Sequence, residues 1–289
     1  MSVCPIAIIA DSTCDIPAEL LERYHIDVIP QLIIWGNQEL RDRVDIQPAE
    51  FYQRLTTASQ LPTTSQPTVK SFSEHYQAAQ AAGATDIVVL TVSSAMSGTY
   101  QTALQVAQLV EVPVHVFDAK GPTMSLGWQA LAAARAREAG ADLAGIIAVA
   151  DRVRQTVVQF VYLDTLEYLY RGGRIGNATR FIGALLDLKP LVEINHATGL
   201  VEGADRVRTR RKGVETLYQR FFEKFAAAIV AQRPLHIAVL HGGVPEEAAL
   251  LAERIQREYQ PAELLINITG PVLGLHTGPR ALALCGYFE

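Results

Sequence analysis

The sequence predicts an α/β protein in two parts, an N-terminal domain on a parallel sheet and a C-terminal α+β domain with a mixed sheet. Three observations carry this. In the first half, short apolar runs rich in β-branched residues alternate with segments of helical spacing, the rhythm of strands covered on both faces by helices. Past residue 150 the alternation gives way to short strands separated by loops and to two long amphipathic helices. The 289 residues, 49% apolar and 19% charged, suffice for two cores and argue against disorder. The expected domains are 1–150 and 151–289, with residues 270–289 able to pack back on the first.

Pro5-Ile6-Ala7-Ile8-Ile9-Ala10 is a continuous apolar run, hence a strand buried on both faces. Pro17 suits the first turn of a helix over 18–24, and 26–34 reads as a second strand. Residues 48–55 and 69–82 have helical spacing, the latter with Phe72, Tyr76 and Ala79 on one side and Gly83 as a stop. Strands over 86–91 and 112–117 flank a helix over 99–110, and the alanine-rich helix 127–139 ends at Gly140. Asp142 is placed to cap a helix over 143–155 that leads into the second domain. There 157–163, 191–194 and 200–202 read as short strands, with a helix around 180–186. Long helices over 210–233 and 246–259 and strands over 237–240, 264–268 and 283–287 complete the chain.

A net charge of −5 excludes the basic face that non-specific nucleic-acid binding needs, although Arg206, Arg208, Arg210, Arg211 and Lys212 cluster locally. Such a run is usually a solvated helix start, and is otherwise a patch for an acidic partner. Cys4, Cys14 and Cys285 are odd in number and form no C-x-x-C pair, so neither a structural metal site nor a disulfide framework is expected. No leader peptide or membrane-spanning run is apparent, which fits a soluble cytoplasmic protein. Walker A, G-x-G-x-x-G, G-x-S-x-G and H-E-x-x-H motifs are all missing.

Four hydroxyl-rich or acidic loops remain: Asp11-Ser12-Thr13, Thr63-Thr64-Ser65, Ser93 to Thr99, and Asp118 to Thr123. Parallel strands deliver the first, third and fourth to one sheet edge, the usual ligand crevice. Pro62 and Pro67 stiffen the Thr63-Thr64-Ser65 loop, and the turn before residue 99 offers unpaired N–H groups to an anion. Any one of these serines can simply cap a helix; convergence of four loops favours a ligand. Tyr170-Arg171-Gly172-Gly173-Arg174 and the glycine-rich surroundings of His276 are further polar concentrations, each with a plain turn as its alternative.

Together these segments resemble the DegV family of bacterial fatty-acid-binding proteins. The matching stretches are Ile9-Ala10-Asp11-Ser12-Thr13-Cys14-Asp15-Ile16-Pro17, Pro62-Thr63-Thr64-Ser65-Gln66-Pro67, and Ser93-Ser94-x-x-Ser97-Gly98-Thr99-Tyr100. Then follow Leu169-Tyr170-Arg171-Gly172-Gly173-Arg174-Ile175, Lys189-Pro190, Arg208-Thr209 and His276-x-Gly278-Pro279. They keep family order along essentially the whole chain.

The resemblance implies two domains with a lipid pocket between them and no cofactor. It implies a non-catalytic role, in which a bound long-chain fatty acid is presented to a separate ATP-binding subunit of a fatty acid kinase. That subunit phosphorylates the carboxylate, and the acyl phosphate enters phospholipid synthesis. Carried over by motif, the carboxylate site comprises Thr63 or Thr64, Ser93, Ser94 or Ser97 with Gly98, and His276. Arg174 falls near the head group, and Arg206 and Arg208 on the surface that meets the kinase subunit. Arg280 stands where relatives often carry glycine, which places a cation near the pocket mouth; Ala119 and Ser125 also depart from common serine and glycine. No nucleic acid is implied, and membrane contact at most during lipid exchange. A small-molecule phosphotransferase or hydrolase using the Asp11 and Ser97 loops is the alternative.

Overall fold

The computed structural model describes residues 5–181 and 188–289. β1 (Ile6–Asp11) leads through a 3-10 turn to α1 (Ala18–Arg23) and the short strands β2 (Ile26–Ile29), β3 (Leu32–Trp35) and β4 (Gln38–Arg41). α2 (Pro48–Thr57), β5 (Thr63–Ser65), α3 (Val69–Ala81), β6 (Asp86–Thr91), α4 (Thr99–Ala107), β7 (Val114–Asp118) and α5 (Met124–Glu138) follow. α6 (Leu143–Thr156) leads to β8 (Val158–Tyr162), α7 (Glu167–Arg171), β9 (Lys189–Asn195) and β10 (Leu200–Val207). The remainder runs α8 (Arg210–Lys224), α9 (Ala226–Val230), β11 (Leu235–His241), α10 (Pro245–Tyr259), β12 (Glu263–Ile268), α11 (Pro271–Thr277) and β13 (Leu282–Phe288).

β2, β1, β6 and β7 form a parallel sheet in that order. The second sheet runs β10-β9-β8-β13-β11-β12; β11 and β12 pair in parallel and the other neighbours antiparallel. This is the α/β class, with its parallel and mixed parts, that the sequence predicts. α5 lies between the sheets. Met124, Leu126, Trp128, Leu131 and Ala134 on it are all enclosed, and they join Ile8 and Leu90 of the first sheet to Ala238, Ala283 and Cys285 of the second in one core. A helix apolar on every side is a buried helix, and its alanines let both sheets come close. α3 and α4 cover the far face of the first sheet through Phe72, Tyr76 and Val106, and α8 and α10 that of the second through Leu217, Phe221 and Ile255.

Several elements differ from expectation. The strand expected over 26–34 is two, because Pro30 has no N–H to continue a ladder; β2 stays in the parallel sheet and β3 joins a small antiparallel sheet, β4-β3-β5. β5, expected as a loop, pairs Thr64 with Ile33. The long helix over 210–233 breaks at Phe225, which turns into the core with its ring 4.8 Å from that of Phe221. α5 begins at Met124 rather than at Gly127. The helix expected around 180–186 falls mainly on residues outside those described. The C-terminal segment divides. α11, started by Pro271, packs on α2 and the small sheet through Val272 and Leu275, whereas β13 is a central strand of the second sheet.

Candidate ligand site

A cavity of about 250 Å³ lies where the loop before α4, the small sheet, α11 and the inner face of the second sheet meet. Its wall divides by chemistry. Val161 of β8 and Leu163 just after it, Val192 and Ile194 of β9, Val201, Leu240 and Ala283 make a hydrocarbon lining, β9 contributing side chains at alternate strand positions. Thr64, Ser65, Gln66, Ser97, Gly98, Arg174 and His276 line the polar part.

Two hydroxyls there are backed by donors from behind. Thr64 Oγ1 lies 3.1 Å from His276 Nε2, on a ring only 8% exposed. With the Nε2–H tautomer donating into Thr64, the threonine proton is left for the cavity. Gln31 Nε2 donates to Thr99 Oγ1 over 3.1 Å, and Thr99 Oγ1 lies 2.8 Å from Ser97 Oγ. The Thr99 proton can then point to Ser97, leaving the Ser97 proton free in the same way. Arg174 is fixed as a neighbouring positive charge, donating from Nε to the Met96 carbonyl (3.1 Å) and from Nη1 to that of Gly172 (2.7 Å). Gly98, at the start of α4, is covered by the Gln66 carboxamide, which donates to Thr102 Oγ1 over 2.8 Å. The arrangement offers neutral donors and one cation to an anion at the head of an apolar slot.

Burial pulls the His276 pKa down to about 4 from the ordinary 6.5, with the Arg174 charge acting in the same direction. An unfolded histidine titrates near 6.5, so between pH 6.5 and 4 the unfolded chain binds more protons and stability falls as pH falls. Buried His196, also pulled down to about 4, adds to this slope. Acidification from about pH 7 to 5 is therefore expected to lower the thermal midpoint of the wild-type protein relative to that of His276→Gln. Equal slopes in the two proteins would mean that the ring takes up protons alike in the folded and unfolded chains.

The other residues picked from sequence lie elsewhere. Thr63 is exposed on β5, on the opposite side from Thr64, as strand alternation requires. Ser93 is buried with its hydroxyl donating to the Gly199 carbonyl (2.8 Å), and Ser94 donates to the Asp118 carboxylate. Neither lines the cavity. Arg280, at a positive φ of 64°, pairs with Asp164 (3.3 Å) and Glu247 (3.7 Å) outside the cavity. Arg206 and Arg208 are exposed at the end of β10, before α8. Asp11 does not form a reactive pair with Ser97: one oxygen accepts from Thr13 N (2.9 Å) and Thr13 Oγ1 (2.6 Å), the other from Val92 N (2.6 Å). It ties the ends of β1 and β6 together. Gln31, Gln66 and Gln159 also belong to the lining and lie outside the carboxylate site that the motifs imply; the sequence signal for Gln159 is a glutamine interrupting the apolar run 157–163.

The model for "Uncharacterised protein, DegV family" matches residues 5–289. The chain belongs to the DegV family. A DegV domain-containing protein of Streptomyces coelicolor is 36% identical over 281 residues, covering 96% of this chain and 97% of its own. Among solved structures, a DegV family protein from Thermus thermophilus, described by its fatty acid binding, superposes with a TM-score of 0.91 at 31% identity, over 99% of this chain and 100% of that one. DegV of Bacillus subtilis, described as a fatty acid binding protein, superposes with a TM-score of 0.89 at 29% identity, over 99% of each chain. No helix among the described residues is long and apolar enough to cross a membrane.

Proposed function

We propose that this DegV protein binds a long-chain fatty acid, its tail along the inner face of the second sheet and its carboxylate at Thr64, Ser97 and Gly98 beside His276 and Arg174. The observation that carries this reading is the division of one cavity into an apolar slot and a mouth of relay-backed hydroxyls. Each buried methylene contributes roughly 0.8 kcal/mol, so the tail supplies affinity. A carboxylate taken from water needs donors in its place, and the mouth has them. The fatty-acid-binding descriptions of the two relatives above support the assignment.

Within this reading the protein is a carrier, presenting the carboxylate to a separate ATP-binding kinase subunit that meets the surface at Arg206 and Arg208. The domains 1–150 and 151–289 then hold the lipid between them. Native mass spectrometry of the purified protein is expected to show one bound fatty acid, and Ser97→Ala to weaken retention about tenfold by removing one donor. No bound acid and no affinity for an added one would refute the reading. Arg208→Glu is expected to lower phosphorylation of the bound acid several-fold and leave its affinity unchanged. Loss of the lipid instead would assign Arg208 to the binding site.

A further inference from the structure

The apolar slot contains one group that a plain hydrocarbon tail leaves unanswered. Gln159 lies within β8, is 1% exposed, and lines the cavity two positions before Val161. Its Nε2 donates to Thr123 Oγ1 over 2.9 Å, and its Oε1 is buried without a hydrogen-bond partner. Val161, Val192 and Ile194, which share the lining, carry no side-chain donor. A buried amide oxygen left unmatched is costly, so such atoms call for a donor in the space they face. Thr123, which fixes the other half of the carboxamide, stands at φ 55° and ψ −141°, a conformation rarely adopted outside glycine.

Gln159 is also far from the mouth. Tyr162, the last residue of β8, pairs with Leu282 at the start of β13, the strand that follows α11 and its His276, and Gln159 lies three positions back along β8, roughly 10 Å. A ligand group meeting the carboxamide therefore sits well down the acyl chain from the carboxylate.

We infer that Gln159 and Thr123 form a subsite for a hydroxyl carried mid-chain by the acyl group, so that the site prefers hydroxylated fatty acids to unsubstituted ones. A hydroxyl suits either orientation of the carboxamide, because it donates to Oε1 and equally accepts from Nε2. A double bond or a methylene supplies no such donor. The inference rests on the fatty-acid reading above and adds the class of acid.

Octadecanoic acid and its mid-chain hydroxy derivatives separate the possibilities in a displacement titration. The wild-type protein is expected to bind its best hydroxy isomer about tenfold more tightly than octadecanoic acid. In Gln159→Leu the preference is expected to vanish or reverse while octadecanoic acid binds at least as well, since the leucine completes an apolar wall. Gln159→Met serves as a second variant of similar volume. Equal affinities of the wild-type protein for all the acids, or a preference that survives both substitutions, overturn the subsite and leave the fatty-acid reading intact; a buried water on Oε1 would give the first of these results. If no acid binds the wild-type protein, the fatty-acid reading fails and the subsite fails with it.

Discussion

Arg43→Met is expected to lower unfolding stability by about 3–5 kcal/mol, the cost of stranding a buried partner charge. Arg43 Nη2 lies 2.5 Å from Asp15 Oδ1 and 3.1 Å from the Ile268 carbonyl. The Asp15 side chain has no exposure, and its Oδ1 also accepts from Gly270 N over 2.9 Å. Asp42 stands beside them, buried and bonded to Ser12 Oγ over 2.6 Å. These contacts join the turn after β1, the turn after β4 and the segment entering α11, so the cluster holds the cavity's polar wall in place. Burial raises both carboxyls, that of Asp42 to about 7, and the Arg43 charge opposes the rise. Removing Arg43 therefore lifts their folded-state pKa values further above the unfolded ones. The folded chain then binds more protons across that window, and stability falls as pH rises through it. In denaturant titrations the deficit of Arg43→Met should be larger at pH 8 than at pH 5, and Asp15→Asn in the same chain should recover part of it. A deficit independent of pH and untouched by Asp15→Asn would mean that Arg43 acts only through packing.

How far the sequence carries depends on where the deciding contact lies. β1, β6 and β13 are legible because burial on both faces writes itself as an unbroken apolar run. β5 is not, since three polar residues form a strand only because Ile33 and its neighbours pair with them. The same limit separates Ser97 from Ser93 and Ser94. All three lie in one hydroxyl-rich loop, and only the positions of Gly199, Asp118 and Thr99 decide which hydroxyl is left for the cavity. Thr64, Ser97, Gly98, Arg174 and His276, named by the motif resemblance, line one cavity in the structure, and the relay partner Gln31 arrives from another element. Arg280 is the opposite case. Four residues after the motif histidine, it is turned outward by a left-handed backbone towards Asp164 and Glu247.

Gly172→Ala is expected to weaken fatty-acid binding by about 10- to 100-fold, close to the loss of a hydrogen bond to a charged group. Gly172 caps α7 with φ −76° and ψ −7°, a conformation that any residue adopts, so the backbone does not demand glycine there. The demand comes from His276. A methyl at this position would lie 2.2 Å from Nδ1 and 2.8 Å from Cε1 of the ring, with the Tyr168 carbonyl 3.1 Å away on another side. The ring cannot stay against Gly172 and has to move, and its bond to Thr64 is what moving disturbs. The Thr64 proton is then no longer reserved for the carboxylate, so one substitution weakens two members of the mouth. Gly173→Ala is the natural control. At φ 68° it carries backbone strain, yet it faces open space, so it should cost stability and not affinity. In His276→Ala the added methyl at Gly172 meets no ring, and the two substitutions together should weaken binding little more than His276→Ala alone. Additive losses in that cycle would show that Gly172 acts on the ligand by a route other than the histidine.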